Sequence, residues 1–174
     1  LDPKSYQAAY WFGRARMSEG KFEEAIKLFE RAAALRPEDH EAVAMLAQSY
    51  GGSGNGVESL AARRRSMKLL EQQLELTPDD ARACILAGVT SSILGDSEGA
   101  LRYVKRALAI DADDPMLLYN VGCIYCGIGK NEEAMTALER AVDAGFGHRE
   151  WMEHDPDLEP IRAMPRFQKI LETL

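Results

Sequence analysis

The sequence predicts an all-α fold in which antiparallel helix pairs are laid in series, four repeats closed by a C-terminal helical cap. Three observations carry this. Small residues recur at a fixed distance, a glycine punctuates every pair at the same place, and apolar residues inside each pair fall at helical spacing. Length and composition agree with it: 174 residues, 46% hydrophobic and 28% charged, suit one ordinary globular array. They do not suit a disordered, collagen-like or disulfide-stapled chain.

The repeats are residues 6–39, 40–80, 81–114 and 115–146. In their first helices stand Gly13, Ala47, Gly88 and Gly122, spaced 34, 41 and 34. In their second helices stand Ala25, Ser66, Ala100 and Ala134, spaced 41, 34 and 34, and Ala32, Gln73, Ala107 and Ala141 repeat that spacing. The period is therefore 34 with one insertion of 7. It falls between Gly54 and Ser66, which are 12 residues apart where the other repeats have 5.

Backbone chemistry places the ends of each helix. Gly20, Gly54, Gly95 and Gly129 follow the first helices, where a left-handed residue closes a helix at little cost. Pro37 and Pro78 follow second helices, and Asp114 then Pro115 reads as an N-cap with a first-turn proline. Apolar residues such as Ala25, Leu28, Phe29 and Ala32, or Ala100, Val104, Ala107 and Leu108, lie on one helical face. A pair of such helices cannot bury both its faces alone. Stacking neighbouring pairs makes one continuous core, and small residues at the crossings let helix axes approach.

The 7 added residues advance a helix by about two whole turns, so facing is kept. The expected helix runs from about Val57 to Leu76 with Leu60, Met67, Leu70 and Leu74 as its core stripe. Arg63, Arg64 and Arg65 fall in the added turns, either as a solvated face or as a contact for an acidic partner or phosphate.

These residues resemble the tetratricopeptide repeats, whose pattern is W-x2-L-G-x2-Y, A-x3-F, then A and P. The first repeat supplies Ala9, Phe12 and Gly13, then Ala25, Phe29, Ala32 and Pro37. The fourth supplies Leu118, Val121, Gly122 and Tyr125, then Ala134, Leu138 and Ala141. Departures stand at Ala47, Ser66 and Gln73 in the second repeat and at Cys84 and Ser91 in the third. The resemblance implies a right-handed superhelix whose first helices line a concave groove. Leu1, Asp2 and Pro3 match the closing residues of a repeat, so residues 1–5 are expected to end a preceding one in a longer parent chain.

Residues 147–174 break the period. A short helix around Arg149 to Glu153, a turn, a helical turn near Leu158 to Arg162 and a last helix from about Pro165 are expected to cap the fourth repeat through Trp151, Leu158, Ile161, Phe167, Ile170 and Leu171. The stretch from Asp155 to Phe167 resembles the closing segment of C-terminal arrays in bacterial multidomain signalling proteins of the Ser/Thr kinase, nucleotide cyclase or winged-helix regulator types.

A net charge of −7 is the wrong sign for a general nucleic-acid binder. The sequence has no run apolar enough for membrane insertion, and three cysteines without a secretory mark point to the cytoplasm. Cys123 and Cys126 form C-x2-C in mid-helix with no second ligand pair, and read as buried thiols rather than a zinc site. His148 and His154 read as surface or capping residues, and the acidic stretch Asp155 to Glu159 as a solvated turn rather than a calcium loop. No phosphate loop or nucleophile motif is present, so no catalytic site, metal or cofactor is indicated.

The groove remains. Facing away from the packing positions are Gln7, Tyr10, Arg14 and Met17; Glu41, Ala44 and Gln48; Arg82, Ile85 and Val89; Met116, Tyr119 and Cys123. Candidate partner-binding residues are Gln7, Tyr10, Arg14, Met17, Gln48, Arg82, Ile85, Val89, Tyr119 and Cys123, which mix adaptable apolar contact with arginines able to hold a carboxylate. Chaperone-binding family members clamp a peptide carboxylate at places that here hold Tyr10, Arg14, Met45, Arg82 and Leu86, so little of that clamp is kept. The expected function is a non-catalytic scaffold for a protein or peptide partner. The alternative is a spacer or self-association module forming a homo-oligomer.

Overall fold

The computed structural model describes residues 5–174. The expected end of a preceding repeat, at Leu1, Asp2 and Pro3, lies outside the described residues. Among the described residues every regular element is helical: α1 (Tyr6–Ser18), α2 (Phe22–Leu35), α3 (His40–Gly52), α4 (Gly56–Leu76), α5 (Ala81–Ile93), α6 (Ser97–Ile110), α7 (Pro115–Gly127), α8 (Asn131–Asp143), α9 (Arg149–His154), a 3-10 helix (Pro156–Ile161) and α10 (Pro165–Thr173). The fold class is that of tetratricopeptide-like antiparallel helix pairs.

Side chains start the first helix of each repeat, α1, α3, α5 and α7, at the repeat period. Ser5, Asp39, Asp80 and Asp114 each accept the backbone N–H three residues on, at Ala8, Ala42, Ala83 and Leu117, satisfying a donor the helix leaves orphaned. Gly20, Gly54, Gly95 and Gly129, with φ of 72, 82, 86 and 76°, end the first helices in the left-handed region. Gly13 serves a different purpose. A Cβ there would lie 2.9 Å from Cε1 and Cζ of the fully buried Phe29 ring, so the absent side chain lets α2 approach α1.

The chain forms two compact units, one running up to Leu69 with His154–Pro156, the other Leu70–Glu153 with Asp157–Leu174. In the first, α1, α2 and α3 pack on one another around Ala25, Phe29, Ala32, Ala42 and Val43, all buried. In the second, α5 pairs with α6, α7 with α8, and α5 with α7. At this last seam a Cβ on Gly88 would stand 2.7 Å from Cδ1 of Ile124. Each fully buried Leu, Ile or Phe in these seams contributes about 1.5–3 kcal/mol.

The 21-residue α4 keeps its phase, but its buried stripe is Ser59, Arg63, Ser66, Leu70 and Leu74. Leu60, expected in the core, is 39% exposed, and Arg63, expected in solvent or at a partner, is only 4% exposed. The reason is register: Ser59 and Arg63 sit seven residues before Ser66 and Leu70, on the same face, and the repeat decides which face is buried. The Ser59 hydroxyl donates to the carbonyl of Ala47 at 2.8 Å. Arg65 is also structural, donating to the carbonyl of Pro37.

Residues after Asp143, apart from His154–Pro156, pack in the second unit. Leu158, Ile161 and Phe167 are fully buried against Met135 and Leu138 of α8, in one cluster with Ile170 and Leu171. Met152, not Trp151, is the buried residue of α9; Trp151 packs against the cluster only partly covered. Arg166 fastens α10 to α8, reaching both carboxylate oxygens of Glu139 at 3.0 and 2.8 Å and Glu132 at 2.7 Å. That pairing holds the Glu139 carboxyl below its usual range.

Candidate functional site

The first helices carry the expected groove residues, and each unit treats them differently. In the first unit Gln7 is exposed and Arg14 half-buried, with its guanidinium 5.1 Å from the centre of the Trp11 ring. Tyr10 is buried. Its ring meets Phe29 edge-on at 6.0 Å and its hydroxyl donates to Oε2 of Glu41 at 2.8 Å, which fixes α1 to α3. Met17 is buried with its sulfur 3.6 Å from the Ser49 hydroxyl. Tyr6, one turn before Tyr10, stacks with it at 5.8 Å and lies under the Arg36 guanidinium. Partial burial, then a hydrogen bond with Asp39, pushes the Tyr6 phenol well above its ordinary range.

Gln48 is the buried polar residue of this face. Its Nε2 donates to Oδ1 of Asp155, 107 residues away, at 2.8 Å. Asp155 is 6% exposed, so the solvated turn expected at Asp155 to Glu159 is corrected at its first residue. His154 is exposed, as expected, with its ring beside Gly20, where a Cβ would lie 2.8 Å from His154 Cδ2. Sequence spacing placed Gln48 on this face but gave no signal for Asp155, which lies outside the period.

In the second unit Tyr119 and Cys123 are buried rather than open to a partner. The Tyr119 ring stacks on Phe146 at 4.5 Å and 6°, and both belong to the cluster that Met152 and Leu158 close. Aromatic stacking on Phe146, the last residue of the fourth repeat, outcompetes exposure. Ile85 is also buried, while Arg82 and Val89 are half-buried. Arg82 and Ile85 from α5 meet Met116, Leu117 and Asn120 from α7 around a cavity of about 300 Å³, with Ala81, Asp111 and Asp114 completing its lining. Asn120, which the spacing argument did not single out, holds its side chain by donating to the Met116 carbonyl at 2.7 Å.

This cavity offers an apolar floor, an amide, an arginine and two carboxylates. Cys84, Cys123 and Cys126 are buried, and burial pushes the Cys84 thiol up from its ordinary range, away from nucleophilic chemistry. Among the described residues no group of three or more His, Cys, Asp or Glu could hold a metal ion. No described helix is long and apolar enough to cross a membrane.

Two sequence profiles described as tetratricopeptide repeat match, one over residues 1–49 and 16–62 and the other over 81–114 and 117–144, together well over half of the chain. The chain belongs to the tetratricopeptide-repeat family. The unmatched residues are 63–80, 115–116 and 145–174. As a tetratricopeptide-repeat protein it falls in a family whose members generally mediate protein–protein interaction and are generally non-catalytic. It is similar to cellulose synthase operon protein C of Pseudomonas fluorescens, 32% identical over 120 residues, covering 68% of this chain and 9% of that protein. It is similar to the Hsp70-Hsp90 organizing protein of Triticum aestivum, 27% identical over 133 residues, covering 76% and 20% respectively. The chain thus spans a fifth or less of the length of these two relatives. Among solved structures, a thermophilic tetratricopeptide-repeat protein of Thermus thermophilus shares the fold, with a TM-score of 0.60 at 20% identity over 97% of this chain and 87% of that one.

Proposed function

We propose that the chain is a non-catalytic scaffold that takes an extended peptide or a helix of a partner protein on the groove side of its first helices. The observation that carries this is the cavity between α5 and α7, where half-buried Arg82 stands beside Ile85, Met116 and Asn120. A partner side chain can bury apolar surface on the floor while a carboxylate meets the guanidinium and the amide gives direction. Tyr119 and Cys123 contribute by shaping the end of the groove from beneath. A cytoplasmic setting within a larger bacterial signalling or regulatory protein accords with the buried thiols and with the resemblance of Asp155 to Phe167 to such arrays. Nucleic acid is not the expected partner of a chain with net charge −7.

Selection from a random peptide library with the whole chain as bait tests the reading. Selected peptides are expected to lose about tenfold or more in affinity on Arg82→Ala or Met116→Ala, the range of a moderate interface contact. Peptides unaffected by both changes would place recognition elsewhere.

A second reading, self-association, is favoured by one observation: Trp11 and Phe12, adjacent on α1, are 59% and 56% exposed. Light scattering over a concentration series decides it, a concentration-dependent dimer lost in Trp11→Ser being the expected sign.

A further inference from the structure

Position 48 of the second repeat corresponds to 89 in the third and 123 in the fourth, at the spacing of 41 and 34. Those places hold Val89 and Cys123, so Gln48 alone of the three brings an amide to the groove face. It is buried, and what covers its amide is a short piece of the chain's own C-terminal segment. Asp155 is the one non-helical residue between α9 and the 3-10 helix. It accepts from Gln48 Nε2 at 2.8 Å, and its neighbour His154 sits over Gly20, where any side chain would collide with the imidazole. A turn that presents a carboxylate to an amide and a ring to a glycine is held as a bound peptide is held, by one directed polar contact and one shape fit.

We infer that the α1–α3 face around Gln48 and Gly20 is a binding site for an acidic, proline-containing peptide turn, and that His154-Asp155-Pro156 is its built-in occupant. This rests on the reading of the first helices as a partner groove and adds the chemistry of the ligand. The occupant shows what the site selects: a carboxylate at Asp155, which Gln48 reads, with Pro156 fixing the chain directly after it, while Glu153 and Glu159 pair with Arg149 and Arg162 of the segment itself. A partner bearing such a turn competes with Asp155 for Gln48. Its apparent affinity is its intrinsic affinity multiplied by the fraction of molecules whose own turn has left. The chain therefore resists weak acidic ligands and yields to stronger ones.

The test uses a fluorescent peptide of the chain's own residues 151–159 titrated by anisotropy into the full chain and its variants. Asp155→Ala in the protein empties the site, and the peptide is expected to bind that variant about tenfold or more tighter than the parent, the worth of one hydrogen bond to a charged group. Gln48→Ala added to that background should remove the gain, and a peptide with Ala in place of its own Asp155 should bind neither form. Equal affinity for parent and Asp155→Ala overturns the inference, as does a gain that survives loss of Gln48. Should Asp155→Ala disturb folding, the parent chain carries the test: excess peptide must shift the NMR signals of the Gln48 side-chain amide, and unmoved signals overturn the inference. A library peptide that depends on Arg82 but binds parent and Asp155→Asn alike overturns only this inference and leaves the groove reading standing. Selected peptides indifferent to Arg82 and Met116 strike at the groove reading instead.

Discussion

Arg65 Nη2 donates a 3.0 Å hydrogen bond to the carbonyl oxygen of Pro37, 28 residues earlier. The same link recurs, at the same separation, from Arg106 to Pro78 and from Arg140 to Ala112. Each ties a second helix to the closing turn of the repeat before it by giving a donor to a turn carbonyl two residues past the helix end. The arginines stand 41 and 34 residues apart, so they belong to the repeat and not to a charged binding patch.

Removing that link should cost little. Arg65→Ala is expected to lower stability by about 1 kcal/mol, the net worth of an accessible hydrogen bond. Exposed Arg64→Ala should stay within about 0.5 kcal/mol. Urea midpoints of the two variants check this; equal midpoints would remove Arg65 from the architecture.

Two glycine-to-alanine changes in helices should have opposite signs. At Gly51 the nearest neighbour of a new Cβ is Ser59 Oγ at 3.5 Å, an ordinary contact, so helix propensity wins and stability should rise by about 0.5–1 kcal/mol. At Gly13 the same gain meets the fully buried Phe29 ring at 2.9 Å. Overpacking of about 1–3 kcal/mol should exceed it. Thermal melts that move in the same direction for both would contradict the close approach of α2 to α1.

Core truncation after α8 should rank by burial. Phe167→Ala is expected to cost about 3–5 kcal/mol and Met152→Ala about 2–5 kcal/mol, since both side chains are fully buried. Trp151→Ala, on a partly covered residue, should cost less than either despite its larger ring. Chemical denaturation of the three variants gives the order directly.

The Tyr50 hydroxyl donates to Oε1 of Glu30 at 2.8 Å. That hydrogen bond, with partial burial and the Glu30 charge, has the phenol pushed up to about 12 from an ordinary value of about 10. The neutral phenol is the form the fold favours. Its contribution is therefore complete below pH of about 10 and is lost as the pH rises toward about 12. Absorbance at a tyrosinate wavelength should show a late-titrating phenol that moves earlier in Glu30→Ala; a titration unchanged by that substitution would count against the contact.

The helices were legible because their signals are local or periodic. A glycine that closes a helix needs only its own backbone, and a small residue at a crossing repeats with the crossing. In α4 hydrophobicity and phase point to different stripes: Leu60 and Met67 are the greasier residues, yet Ser59 and Arg63 share the angular position of Ser66 and Leu70 and are the ones buried. Gln48 was legible as a groove residue for the same periodic reason. Asp155 was not, because its contact spans 107 residues and ends in a segment with no repeat to align. Tyr119 was legible as facing the groove, but not as covered, because its cover is Phe146, at the very end of the last repeat, where no following repeat supplies an equivalent to align.

A stretch of seven residues in α4 that leaves Ser66, Leu70 and Leu74 inward behaves like whole turns added to a screw thread. Another heptad inserted before Ser66 would lengthen the helix without changing which side chains mate with their neighbours. Three residues or four would miss a whole turn in opposite senses and twist Ser59 and Arg63 off their line. The second repeat is thus the place where this chain can be lengthened in quantised steps while every joint keeps its pitch.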